Sequence, residues 1–225
     1  MRIIIVVFIV VTGFIRTYAQ QSWDTIPVLP QHYNERLELF KQQKVTTGRI
    51  IFLGNSITEM GDFKKLTGDT TVINRGIGGD ITYGVIARLD EVTRFKPSKI
   101  FIMIGINDLS KKIPEQQVLQ NMFTIINRIH AGSPKTEVFV QSILPINPSV
   151  KDFPKGYDVN DNVNVVNTQL SNLQKRLKYT YIDLNKRFRT AAGEMDIKYT
   201  VDGLHLNAAG YQLWIKILKD SKHLL

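Results

Sequence analysis

Short apolar runs alternate along the chain with longer amphipathic stretches. The runs at 49–53, 71–74, 100–104, 137–141 and 180–184 are rich in Ile, Val and Phe and end against glycine or small polar residues. That composition predicts buried strands meeting sharp turns. Between them, apolar positions recur every three or four residues: Ile81, Val85, Leu89 and Val92; Val118, Met122, Ile125 and Ile129; Val163, Val166, Leu170, Leu173 and Leu177. These stripes predict helices with one face on a core. Tyr33, Leu37 and Phe40 mark a first helix after a Pro-bearing lead-in at 23–30, and Asn207 is the expected N-cap of a last one burying Tyr211, Trp214 and Leu218. Strands alternating with helices require right-handed crossovers, so the expected fold class is α/β: a three-layer, doubly wound sandwich on about five parallel strands.

The N-terminus departs from this pattern. Arg2 precedes an unbroken apolar stretch at 3–11, and Thr17-Tyr18-Ala19 follows as a cleavage site. This predicts a signal peptide at 1–19 and a single domain at 20–225, exported to a bacterial periplasm or exterior. The apolar stretch is too short to span a bilayer of about 30 Å, so no stable membrane insertion is expected. The chain of 225 residues contains no cysteine, which excludes disulfide frameworks, thiolate metal sites and cysteine nucleophiles. Removing Arg2 and Arg16 with the leader lowers the net charge of +9 to +7. The basic residues are scattered without interleaved aromatics, so no nucleic-acid partner is expected.

In a doubly wound sheet, ligands bind outside the carboxyl ends of the strands. The loops there read G-N-S-I-T-E (54–59), N-R-G-I-G-G-D (74–80) and G-I-N-D (105–108), and a fourth, proline-rich loop follows the fourth run. Ser56 lies at a strand-to-helix turn suited to a nucleophile, though its position alone fits a helix N-cap better. In D-G-L-H-L-N (202–207), Asp202 precedes His205 by three residues. Such a carboxylate can hold an imidazole by Nδ1 and leave Nε2 free to take a hydroxyl proton, or can simply cap a helix beside a surface histidine. The remaining histidines, His32, His130 and His223, have the placement of surface residues. Acyl transfer also needs oxyanion donors, which the N–H groups of Ser56 and Gly79 and the side chain of Asn107 could supply. The alternatives are a tight turn at Gly79 and an Asx turn at Asn107. The glycine-rich loop has neither the Walker lysine nor the G-x-G-x-x-G spacing, which argues against a nucleotide.

Together the four segments resemble the SGNH hydrolases, the GDSL esterase and lipase superfamily, whose serine, glycine, asparagine and histidine blocks are matched in order from about Arg49 to the last helix. The resemblance implies a flavodoxin-like fold with no metal or organic cofactor. It implies Ser56 as nucleophile, His205 as base, Asp202 as its orienting acid, and Ser56, Gly79 and Asn107 as the oxyanion hole. Asn55 stands where the family carries aspartate, so the turn gains an amide that donates as well as accepts. The relatives it brings in are platelet-activating-factor acetylhydrolase-like proteins and bacterial carbohydrate acetylesterases. The expected function is therefore a secreted serine esterase removing O-acetyl groups from carbohydrate, with a lysophospholipase- or PAF-acetylhydrolase-like lipid hydrolase as the alternative and an inactive glycan-binding protein behind both. The fourth loop, 145–157, carries no long exposed apolar run and is expected to select a small acyl group on a polar carrier.

Overall fold

The computed structural model describes residues 29–224, so the leader expected at 1–19 lies outside the described residues. Strands β1 (Ile50–Gly54), β2 (Ile73–Gly76), β3 (Lys99–Met103), β4 (Glu137–Gln141) and β5 (Thr180–Ile182) form one all-parallel sheet in the order β2-β1-β3-β4-β5. Each overlaps one of the expected apolar runs. The winding changes direction between β1 and β3, and the loops leaving those two strands flank the crevice that such a reversal opens.

Side chains alternate across the sheet and feed two cores. Ile51, Leu53, Ile100, Ile102, Val138 and Val140 face α4 (Thr82–Ala87), α5 (Leu89–Thr93), α7 (Glu115–Gly132) and α8 (Asn160–Leu177). Phe52, Phe101 and Phe139 face the opposite layer, where α3 (Phe63–Thr67) and α10 (Ala208–Asp220) lie. The parallel register sets these three phenylalanines side by side, with ring centroids 5.0 and 4.7 Å apart, and Phe63 stacks on Phe52 at 3.9 Å. Trp214 of α10 closes on Phe63 edge-on at 5.3 Å. Each such aromatic pair adds about 0.5–1.5 kcal/mol beyond its buried area, so the ladder fixes α10 against β1. The Trp214 indole N–H donates to Gln141 at 2.6 Å, which satisfies its one polar atom inside the core. Asn207 caps α10 by accepting from the Gly210 N–H at 3.0 Å, as its sequence position predicts.

One element differs from expectation. The stripe from Ile81 to Val92 predicts a single helix, but the chain forms two, α4 and α5, broken at Arg88 (φ −106°, ψ 9°). The periodicity continues across the break, so apolar spacing alone does not reveal it. At the break the Arg88 guanidinium turns into the protein, donating to the carbonyls of Gly54 (3.2 Å) and Arg75 (3.0 Å) and pairing with Asp80 at 2.9 Å. Both side chains of the pair are fully buried. Arg88 thus ties the ends of β1 and β2 to the loop after β2. Replacing Arg88 by alanine strands the Asp80 carboxylate and two carbonyls, and should cost about 3–5 kcal/mol of unfolding free energy by urea titration. A loss below 1 kcal/mol contradicts this role.

Candidate active site

β1 ends in Gly54, and the chain turns at once into α2 (Ser56–Glu59). The turn is tight because Gly54 has no side chain: a Cβ there would lie 2.4 Å from the Met103 carbonyl oxygen and 2.2 Å from Thr58 Oγ1. Asn55, not Ser56, caps this short helix, its Oδ1 accepting from the Ile57 N–H at 3.1 Å. The capping alternative for Ser56 therefore falls, and its hydroxyl is free for another partner. The Asn55 carboxamide oxygen does the accepting that an aspartate would do at this turn.

That partner comes from the far end of the chain. Ser56 Oγ lies 3.0 Å from His205 Nε2, and His205 Nδ1 lies 2.7 Å from Asp202 Oδ2. The other Asp202 oxygen accepts the backbone N–H groups of Leu204 (2.9 Å) and His205 (2.7 Å). Asp202 thus holds the imidazole and braces its own turn; the helix-capping alternative falls, because Asn207 caps α10. Partial burial alone would raise the Asp202 carboxyl, but these hydrogen bonds outweigh it and keep the group below the usual carboxylate range, ionised at neutral pH. The loop is itself braced: Thr200 Oγ1 donates to the His205 carbonyl at 2.7 Å and accepts from the Gly203 N–H at 2.8 Å. The Tyr211 hydroxyl donates to the Ile57 carbonyl at 2.8 Å, joining α10 to the Ser56 helix.

Two further segments supply candidate donors. Gly79 sits in the left-handed region (φ +73°), and a Cβ there would lie 2.7 Å from Pro30 Cγ. Asn107 follows Gly105 in α6 (Ile106–Ser110) and is buried. Its Nδ2 donates to the Asp80 carbonyl and its Oδ1 accepts from the Tyr157 hydroxyl, both at 2.8 Å. One Nδ2 hydrogen is left over. Among the described residues, the N–H groups of Ser56 and Gly79 donate to no protein acceptor. The Asx-turn alternative for Asn107 does not hold, because its carboxamide bonds to distant segments.

A matching family profile decides the relationship: GDSL-like Lipase/Acylhydrolase, over residues 52–213. The chain belongs to this family. Among curated proteins it is 26% identical to the platelet-activating factor acetylhydrolase IB subunit alpha2 of Rattus norvegicus over 178 residues, 76% of this chain and 74% of that one. A solved structure from Streptococcus pneumonia named for platelet activating factor is 30% identical, covers 84% of this chain and 90% of its own, and has a TM-score of 0.74. A mutant acetyl-xylooligosaccharide esterase from Geobacillus stearmophilus shares the fold at 17% identity, covering 79% and 96%, with a TM-score of 0.59.

Several residues around this GDSL-family site have partners that motif spacing does not reveal. Glu59 Oε2 accepts the Gly78 N–H at 2.5 Å, while its other oxygen takes His32 (2.8 Å) and Arg36 (3.0 Å) of α1 (Gln31–Gln42). Glu59 thereby fixes the glycine loop beside Gly79. His32 is exposed, as expected, but His130 and His223 are half-buried, one on the Leu177 carbonyl and the other against the Phe139 ring. Arg75 is buried against Glu91 and takes no part in the cleft. Among the described residues, no group of three or more His, Asp or Glu side chains could hold a metal ion.

Two buried carboxyls lie directly behind the donors. Burial pushes Asp80 up to about 6 despite Arg88, and pushes Asp108, which accepts from the Thr82 N–H (3.1 Å) and hydroxyl (2.5 Å), up to about 7. Because the folded state holds these protons more tightly than the unfolded chain, their contribution to stability is greatest below about pH 4 and declines as pH rises toward 7. Asp108→Asn should flatten the wild-type decline in unfolding free energy between pH 4 and 7, as followed by urea titration. Parallel wild-type and variant profiles contradict the assignment.

Proposed function

We propose that this chain is a serine esterase. Ser56 attacks an ester carbonyl as His205 takes its proton, Asp202 holds the imidazole, and the N–H groups of Ser56 and Gly79 with Asn107 Nδ2 receive the negative charge on the carbonyl oxygen. The imidazolium then protonates the departing alcohol. Water, activated by the same imidazole, attacks the acyl-serine, releases the acid and restores the hydroxyl. The observation that carries this reading is the continuous chain of short contacts Ser56–His205–Asp202, at 3.0 and 2.7 Å. Membership of an acylhydrolase family supports the reaction class.

We propose further that the acyl group is acetyl, carried on a carbohydrate, and that the protein acts after export. Support for the short acyl group comes from the 145–157 loop, which carries no long exposed apolar run. The acetyl-xylooligosaccharide esterase supports the carbohydrate carrier only through shared fold. The similarity to platelet-activating factor acetylhydrolases favours a second reading, an acetyl ester on a lipid carrier.

Two measurements test these proposals. Asn107→Ala should lower kcat on p-nitrophenyl acetate by about a hundred- to a thousandfold with the circular dichroism spectrum unchanged, and a fully active variant removes Asn107 from the reaction. Rates across p-nitrophenyl esters should fall from acetyl to octanoyl, and acetate should be released faster from O-acetylated xylan fragments than from an acetylated phospholipid. A preference for octanoyl contradicts the short acyl group, and a preference for the phospholipid selects the second reading.

A further inference from the structure

The segment 145–157, expected from sequence to select substrate, lies in the loop from β4 to α8, residues 142–159. In the structure it reaches both halves of the site. Asn147 ties it to the histidine turn: its backbone N–H donates to the Gly203 carbonyl at 2.8 Å, between Asp202 and His205, and its Nδ2 donates to the Met195 carbonyl at 2.8 Å. Ten residues later the same loop delivers Tyr157, half-buried against the core, whose hydroxyl meets Asn107 Oδ1 at 2.8 Å.

The direction of that hydrogen bond is fixed. The Asp80 carbonyl can only accept, so Asn107 must point its Nδ2 at it and its Oδ1 at Tyr157, and the hydroxyl must then donate. Asn107 has one Nδ2 hydrogen unassigned, the one that the proposed oxyanion would take. Two effects follow. Held at both ends, the carboxamide plane cannot swing, so that hydrogen is aimed before substrate arrives, which is what oxyanion stabilisation requires. A donor on Oδ1 also polarises the amide, withdrawing electron density from nitrogen and strengthening its remaining N–H as a donor; such chains of hydrogen bonds reinforce one another in a buried setting.

We propose that Tyr157 is a positioning residue of the oxyanion hole, acting on the transition state only through Asn107. This rests on the esterase reading above and adds to it a residue outside the four motif blocks. The Tyr157 hydroxyl forms no bond with substrate and exchanges no proton, so its loss should lower kcat and leave KM nearly unchanged.

The test is a double-mutant cycle on the full chain with p-nitrophenyl acetate. Tyr157→Phe should lower kcat about tenfold, the effect of one buried hydrogen bond, with KM within about twofold. In an Asn107→Ala background the same change should alter kcat less than about twofold, because its target is gone. An unchanged kcat in Tyr157→Phe overturns the proposal. So does an equal tenfold loss in both backgrounds, which is what a general packing role would give. Should Tyr157→Phe fold poorly, a fluorinated tyrosine placed at 157, whose phenol ionises nearer neutrality, keeps the shape. Its kcat should acquire an alkaline fall, since a phenolate cannot donate, and a profile matching wild type overturns the proposal. A wild-type protein inactive on every ester overturns the esterase reading and this assignment together, whereas an active wild type with an unaffected variant overturns the assignment alone.

Discussion

A single contact, Ser56 Oγ to His205 Nε2, joins groups 149 residues apart, and much of the surrounding structure serves to hold its ends. A hydrogen bond between two partly solvated side chains contributes only about 1 kcal/mol, far too little to bring the termini of a domain together. The closure comes from packing. The phenylalanine ladder across β1, β3 and β4 receives Trp214 of α10 on its edge, and the Tyr211 hydroxyl bonds to the first turn after Ser56. The loop carrying Asp202 and His205 is then short and cross-braced, so the imidazole has little freedom once α10 is seated.

The opposite wall is built differently, from buried polar groups. Arg88 binds the carbonyl ends of β1 and β2 and the Asp80 carboxylate, Asp80 offers its carbonyl to Asn107, and Asn107 meets Tyr157. Glu59 and Asp108 hold the flanking loops by their backbone N–H groups. Burying Asp80 and Asp108 costs stability at neutral pH, as their raised positions show. What the arrangement secures is dipoles that point one way without needing to reorient, in a region where half-satisfied polar groups would be costly.

The layered fold was legible because its signal is physical repetition: apolar runs for strands buried on both faces, and 3.6-residue stripes for helices with one buried face. The break at Arg88 was not legible, since Val85, Leu89 and Val92 keep their spacing while the backbone between them turns aside for a buried arginine. Ser56, Gly79, Asn107, Asp202 and His205 stood out because each lies in a short motif just beyond a strand or before the last helix, and the structure brings them to one end of the sheet. Tyr157 carries no such mark, and Glu59 closes the G-N-S-I-T-E block without that block showing what its carboxylate binds. Tyr157 sits in an irregular loop whose path depends on where β4, α8 and the Gly203 turn meet, and Glu59 works through a helix 27 residues upstream and a loop 19 residues downstream. Those juxtapositions are products of topology, which local spacing does not encode.

The structure of the chain after reaction with a small alkyl fluorophosphonate tests the central claim most directly. The account requires phosphorus bonded to Ser56 Oγ, with one phosphonyl oxygen about 2.7–3.1 Å from the N–H groups of Ser56 and Gly79 and from Asn107 Nδ2. No adduct at Ser56, or an adduct whose oxygen turns away from those three donors, would contradict it.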